Sequence, residues 1–318
     1  MAALTDPGST HTPALSVVAT LYRSREFLPA FIDECVEAAE SEAPGRWELV
    51  LVNDGSPDDS LAYALERRVA DPRIVVIDLS RNFGHHPAMH AGLLHARGDR
   101  VFLIDADLEV RPAVLAEFAA KQRASGADLV YGYQPARKGG WVERWTGGLF
   151  WRGLNAISSV PIPENMLTER LMTRRFVDAL LSLGDHDLFL GGMMSWTGYT
   201  QLGLPVRKSQ RAGPSTYSIL RRVKLMLTAV SSFSSRPLVW LFHAGWVITL
   251  ASFGYVAYLV FRRLVYADTL IGFTSIMGLI ALSLGLSCMA LGLVGVYLGK
   301  VLDQVRGRPR YIVRDVHR

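Results

Sequence analysis

Two aspartates separated by a single residue close an apolar run. The run is VFLIDADLEV, Val101 to Val110, with Asp105 and Asp107 as the pair and Glu109 two residues further on. Unpaired carboxylates held close together repel and are costly to remove from water. A divalent cation removes that cost. Mg²⁺ or Mn²⁺ is held by one or two carboxylates and keeps substrate phosphates among its other ligands. The pair therefore points to phosphate chemistry with Mg²⁺ or Mn²⁺ as cofactor. The plainer reading is a solvated turn with a helix cap before Pro112.

Two more loops carry reactive residue types. In VNDGSPDDS, Val52 to Ser60, Gly55 permits an unusual backbone angle and Ser56 can cap the next helix. Asp54 either satisfies that turn or accepts an N–H from a nucleobase. In RNFGHH, Arg81, His85 and His86 either contact a donor phosphate or pin the loop. Neither histidine is read as a catalytic base. Asp185, His186 and Asp187 form a further acidic and imidazole cluster, read as a surface turn or acceptor loop before a metal site.

Such loops need a scaffold, and the hydrophobic pattern supplies one. Compact apolar runs at Leu15–Thr20, Trp47–Val52, Arg73–Asp78, Arg100–Ile104 and Asp128–Tyr133 predict strands. Helical spacing predicts helices over Ser24–Ala39, Ser60–Val69, Pro87–Ala96 and Pro112–Ala124. The alternation implies an α/β domain with a mainly parallel sheet covered on both faces. Ligands of such sheets bind beyond the C-terminal strand ends, where NDGS, RNFGH and DAD all fall. No G-x-G-x-x-G follows the first strand and there is no Walker A sequence, which argues against a nicotinamide dehydrogenase or a P-loop ATPase.

The chain has 318 residues, 50% of them hydrophobic, and a formal charge of +5. The apolar excess is concentrated late. Pro237–Phe261 and Leu270–Gly299 contain no Asp, Glu, Lys or Arg, and each exceeds the roughly 20 residues that cross a bilayer. A short intervening loop makes them a hairpin. Arg221, Arg222, Lys224 and Arg236 precede it, and Lys300, Arg306, Arg308 and Arg310 follow it. The positive-inside rule then places the large domain and both termini in the cytoplasm, beneath an inner or plasma membrane. The N-terminus has no basic region followed by a long apolar one, so no signal peptide is expected. Cys35 and Cys288 offer no disulfide framework and no thiolate metal site. The basic clusters suit anionic membrane lipids, and no nucleic-acid motif accompanies them.

The expected organisation is a flexible segment over 1–13, a catalytic domain over 14–217, a juxtamembrane interfacial helix over 218–235, a transmembrane hairpin over 236–299 and a cytoplasmic tail over 300–318. Within the domain, 140–160 is aromatic and basic, and reads as an interfacial helix in preference to one packed on the domain. RGRPRYIVRD in the tail alternates like a short strand that adds to a sheet or to a neighbouring subunit. Gly285, Gly292 and Gly295 offer close helix contacts, so a homo-oligomer such as a tetramer is expected.

Taken together, VVATLYRSREFLPAFI, VNDGSPDDS, RNFGHHPAMHAGLLHARGD and LIDADLE resemble the inverting family-2 glycosyltransferases of GT-A fold. The specific likeness is to the polyprenyl-phosphate, or dolichol-phosphate-type, enzymes. It continues through TERLMTRRFVDAL, RAGPSTYS, SFSSRPL and RPRYIV, covering about Leu15 to Val313. The resemblance implies transfer of a sugar from a nucleotide sugar, UDP-linked in preference to GDP-linked, to a lipid phosphate. It implies that Asp54 contacts the nucleobase and that Asp105 and Asp107 are the D-x-D pair, with Asp107 the direct metal ligand. Arg81 and His85 then lie at the donor, and Glu109 near the sugar or acceptor phosphate, where many relatives carry Gln. Arg137 and Arg211 would hold phosphate. Arg211, Ser215 and Tyr217 match R-x-x-G-x-S-x-Y, and Arg170 matches the arginine of an F-R-L-M-like segment. Thr168 and Glu169 replace the usual acidic-aromatic pair there. Two other readings stand beside this one: a family-2 transferase with another glycan or lipid acceptor, and an inactive GT-A membrane scaffold.

Overall fold

The protein was analysed as a computed structural model, which describes residues 12–135, 165–185, 188–207, 236–266 and 272–318. The chain opens with β1 (Leu15–Leu21), α1 (Leu28–Glu42), β2 (Trp47–Asn53), α2 (Ser60–Ala70), β3 (Ile74–Leu79), α3 (His85–His95) and β4 (Arg100–Asp105). A 3-10 turn at Pro112–Val114 leads into α4 (Leu115–Ser125) and β5 (Leu129–Tyr133). Then come β6 (Met166–Thr173), α5 (Arg174–Ser182), α6 (Leu190–Trp196) and β7 (Gln201–Pro205). Two long helices, α7 (Arg236–Tyr266) and α8 (Phe273–Arg306), precede β8 (Val313–His317).

The eight strands among the described residues join one sheet in the order β7-β5-β6-β4-β1-β2-β3-β8. The pairs β1–β2, β1–β4, β2–β3 and β5–β7 are parallel, whereas β6 and β8 run antiparallel to their neighbours. The strand readings hold to within a residue or so at each end. β6, β7 and their helices lack a comparable apolar run and were not expected as elements.

Helices cover both faces of the sheet, which is why its central strands read as unbroken apolar runs. Leu15, Val17, Ala19 and Leu21 face a core shared with Phe31 and Ile32 of α1 and Phe118 of α4. Val18 and Val52 face the other way, toward α3, where Gly92 leaves no room for a Cβ. Two helix starts differ from expectation for local reasons. α1 begins at Leu28 instead of Ser24, because Pro29 is tolerated only in the first turn. α3 begins at His85 instead of Pro87, directly after Gly84 with φ 105°.

The tail forms a strand that adds to the sheet, as its alternation suggests. α8 continues to Arg306, beyond the 299 expected for the hairpin's end, and β8 is the edge strand beside β3. The exposed edge of β3 offers unpaired backbone groups, and the alternating tail satisfies them.

The chain divides into two compact units, one holding the sheet and the other α7 and α8. In the second unit, Leu238–Tyr255 and Ser283–Arg306 are long and apolar enough to cross a membrane. Described side chains such as Trp246, Phe253, Leu291 and Leu298 are exposed. A core helix of a soluble protein would bury them, whereas exposed apolar surface on this scale marks a lipid or protein contact.

Candidate active site

The parallel register aligns the ends of four strands. Thr20 on β1 stands opposite Asp105 on β4, Leu21 opposite Asn53 on β2, and Asn53 opposite Asp78 on β3. The loops that follow therefore emerge side by side at the C-terminal edge of the sheet, the edge where such folds bind ligands.

Asp54 is 3% exposed, and its carboxylate accepts the backbone N–H of Phe83 at 2.7 Å and of Gly84 at 3.0 Å. Burial raises its pKa, and those two N–H bonds oppose the rise. Asp54 thus ties NDGS to RNFGH, a role that its reading as a nucleobase contact alone did not include. Gly55 makes the join possible. Its φ is +60°, and a Cβ there would lie 2.5 Å from the Asn82 nitrogen.

His85, at the start of α3, bridges two strands. Its Nδ1 is 3.1 Å from Thr20 Oγ1, and its Nε2 is 3.3 Å from Asp105 Oδ1. The contacts suit an imidazole that donates from Nε2 to the carboxylate and accepts the threonine hydroxyl at Nδ1. Arg81 donates to Asn82 O and lies over the Phe83 ring at 4.1 Å.

The turn after Asp105 is held from below. Ala106 and Val110 are buried, and Leu108 packs against the core with φ +56°. A leucine in the left-handed region is strained, and the surrounding packing maintains it. Asp107 Oδ1 accepts the Glu109 N–H at 3.0 Å, closing the turn. The D-x-D pair therefore sits on a braced loop.

Arg170 lies on β6 opposite Leu103, two residues before Asp105 on β4. It is 7% exposed. Its guanidinium donates to Leu167 O at 3.1 Å and reaches Met194 Sδ at 2.8 Å. Burial lowers its pKa to about 10, so it remains a cation at neutral pH, and the charges of Glu169 and Asp105 support it. A buried cation here offsets carboxylate charge at the pair. His86, edge-on to Phe189, is depressed to about 4, first by burial and further by the neighbouring His85 and Arg170, and stays neutral. Among the described residues, Arg170 Nε and His86 Nδ1 are buried polar atoms that find no hydrogen-bond partner.

Arg137, Arg211, Ser215 and Tyr217 lie outside the described residues, as do His186, Asp187 and both expected interfacial helices. The sheet edge thus gathers Asp54, Arg81, His85, Asp105, Asp107 and Glu109 from consecutive loops, with Arg170 beside them. Sequence reasoning passed over Thr20, Asn53 and Asp78. Their only local signal is a polar residue ending an apolar strand.

The donor chemistry fits a hard divalent cation. Asp105 and Asp107 offer carboxylate oxygens at one turn, the ligand set of Mg²⁺ or Mn²⁺ bound together with phosphate. Among the described residues no cluster of three His, Cys, Asp or Glu side chains forms.

A doubly covered α/β domain with carboxylates at its strand ends is a nucleotide-binding type of scaffold. Residues 16–181 match Glycosyl transferase family 2, and the chain belongs to that family. Its fold is of the GT-A class, and it is a glycosyltransferase. A Mycobacterium tuberculosis protein carrying a glycosyltransferase name is 38% identical over 95% of this chain and 88% of its own. The SfII prophage-derived bactoprenol glucosyl transferase of Shigella flexneri is 34% identical over 96% of this chain and 98% of its own. The mannosyltransferase of Pyrobaculum calidifontis, solved with GDP-Man and Mn²⁺, gives a TM-score of 0.49 at 16% identity, covering 93% of this chain and 87% of its own.

Proposed function

We propose that this protein transfers a hexosyl or N-acetylhexosaminyl group from a nucleotide sugar to polyprenyl phosphate, with inversion at the anomeric carbon. UDP-linked donors are preferred over GDP-linked ones. The reaction takes place at the cytoplasmic face of the membrane crossed by α7 and α8. One observation carries the reading: His85, Asp105 and Asp107 converge with the Asp54 loop at a single sheet edge. The near full-length likeness to a bactoprenol glucosyl transferase supports the lipid acceptor.

The acceptor phosphate is already an anion at neutral pH. One of its oxygens attacks the anomeric carbon from the face opposite the leaving group. The bond from that carbon to the nucleoside diphosphate breaks, and its electron pair leaves with the diphosphate. No general base is needed, which fits a site of carboxylates and arginines. A bound Mg²⁺ or Mn²⁺, held by Asp107 and Asp105, would neutralise charge on the leaving diphosphate. The Asp54 loop holds the nucleoside end. His85 fixes the Asp105 carboxylate through its Nε2 contact. Arg81, Arg137 and Arg211, with Ser215 and Tyr217, orient phosphates by charge-assisted hydrogen bonds. Glu109 and Arg170 border the sugar.

The test uses detergent-solubilised protein, Mg²⁺ or Mn²⁺, undecaprenyl phosphate and a panel of radiolabelled UDP- and GDP-sugars. One labelled lipid is expected. Asp107→Ala should reduce its formation by at least about 100-fold. Tight nucleotide binding without a lipid product in any arm overturns the acceptor assignment.

A further inference from the structure

We propose that Arg314, on the last strand of the chain, is a positioning residue for the two donor loops. The proposal rests on the reading of the NDGS and RNFGH loops as nucleotide-binding. Arg314 is remote from both in sequence and touches neither Asp54 nor His85.

The register between β3 and β8 sets it apart. His317, Val316 and Asp315 stand opposite Val76, Ile77 and Asp78, but Leu79 stands opposite Val313. The step leaves Arg314 with no residue opposite. Such an irregularity turns a side chain away from its regular place in the pleat. Arg314 uses the freedom to reach back over β3. Its Nη1 donates to Asp78 Oδ2 at 3.0 Å, and its Nη2 donates to Ser80 O at 2.8 Å.

Both contacts lead to the site. Asp78 is 3% exposed, and its other oxygen accepts Asn53 Nδ2 at 2.8 Å. Asn53 Oδ1 in turn accepts the Ser56 N–H at 3.2 Å. Three hydrogen bonds therefore run from Arg314 to the turn that carries Asp54. Ser80 precedes Arg81, and its own N–H donates to Ile312 O at 2.9 Å. The tail thus holds both backbone groups of the residue that opens the RNFGH loop. Asp54 then locks the two loops together through Phe83 and Gly84.

Asp78 is a buried carboxylate whose interior partner is neutral, and Arg314 is its cationic one. Removing the guanidinium leaves the Asp78 carboxylate to readjust, and Asn53, bonded to it, readjusts as well. Asp54 would move with it. Arg318 provides the comparison, since its Nη2 donates to His95 O at the end of α3 far from the donor loops.

The experiment measures UDP binding by the full-length protein in detergent with Mn²⁺, together with separate KM values for donor and polyprenyl phosphate. Arg314→Ala should raise the UDP Kd and donor KM about tenfold and leave the acceptor KM unchanged. Arg314→Lys should fall between, because one ammonium does not reproduce the planar fork that spans Asp78 and Ser80. Arg318→Ala should bind UDP like the wild type. Adding Asn53→Ala to Arg314→Ala should weaken binding less than it does in the wild type, since both act through one chain of bonds. If Arg314→Ala melts near the assay temperature, Arg314→Lys carries the same comparison. Wild-type UDP affinity in a folded Arg314 variant, or equal losses in Arg314→Ala and Arg318→Ala, overturns the proposal alone. Absence of UDP and GDP binding in the wild type overturns the nucleotide reading and the proposal with it.

Discussion

At the scale of single residues, charge placement decides what the site can do. Glu109 is one carboxylate more than a site for an anionic acceptor needs, and many relatives are expected to carry Gln there. Glu109→Gln removes a partly exposed anion and should lower the acceptor KM roughly threefold at low salt, with less effect at high salt. Steady-state kinetics at two ionic strengths checks it. His90 gives a pH prediction. It is buried between Arg310 and Tyr311, with Arg310 Nη1 2.9 Å from its Nε2 and Tyr311 Oη 3.1 Å from its Nδ1. Arginine only donates, so the imidazole accepts at Nε2 and is neutral. Burial, then Arg310, lowers its pKa from 6.5 to about 4. Between those values the unfolded chain binds a proton that the folded domain does not. Stability from this site is therefore complete above about pH 6.5 and declines as pH falls toward 4. Thermal melts at pH 7 and pH 5 should show that decline in the wild type, and His90→Gln should show less of it.

At the scale of elements, the site is a consequence of loops pressed against one another at parallel strand ends. Gly55 is the closest approach. Gly55→Ala combines a positive φ with a Cβ 2.5 Å from the Asn82 backbone nitrogen and 2.6 Å from the Arg81 carbonyl carbon. It should cost about 2 kcal/mol of stability and weaken nucleotide binding, because the RNFGH loop has to move away. Denaturant titration and UDP binding on the same variant separate the two effects. The positions of NDGS, RNFGH and DAD were legible without coordinates, since each follows a compact apolar strand. How they brace one another was not. Asp54 and Phe83 are 29 residues apart and meet only because β2 and β3 are neighbours.

At the scale of the whole molecule, the sheet's last strand comes after the hydrophobic hairpin. The orientation read from the flanking charges would put Asp268, between the two apolar segments, on the outer face. Asp268→Cys, with Cys35 and Cys288 replaced by alanine, should react with a membrane-impermeant maleimide added to intact cells. Glu26→Cys in the sheet domain should react only after lysis. The opposite pattern would reverse the orientation deduced from Arg221, Arg222, Lys224, Lys300 and Arg306.

What the sequence by itself determined is whatever depends on near neighbours. Val17 to Val110 alternates apolar runs with turn chemistry, so β1 to β4, the helices between them and the loops that end them follow from spacing alone. The composition of α7 and α8 sets their length and apolar surface in the same way. What only the tertiary structure decided is whatever depends on which edges meet. β6 reverses direction beside β4 and brings buried Arg170 next to Asp105. β8 pairs with β3, and Arg314 reaches Asp78 across 236 residues of chain. No periodicity encodes such a contact. It exists because a sheet edge has unpaired backbone groups, and the strand that satisfies them also carries a guanidinium to a buried carboxylate.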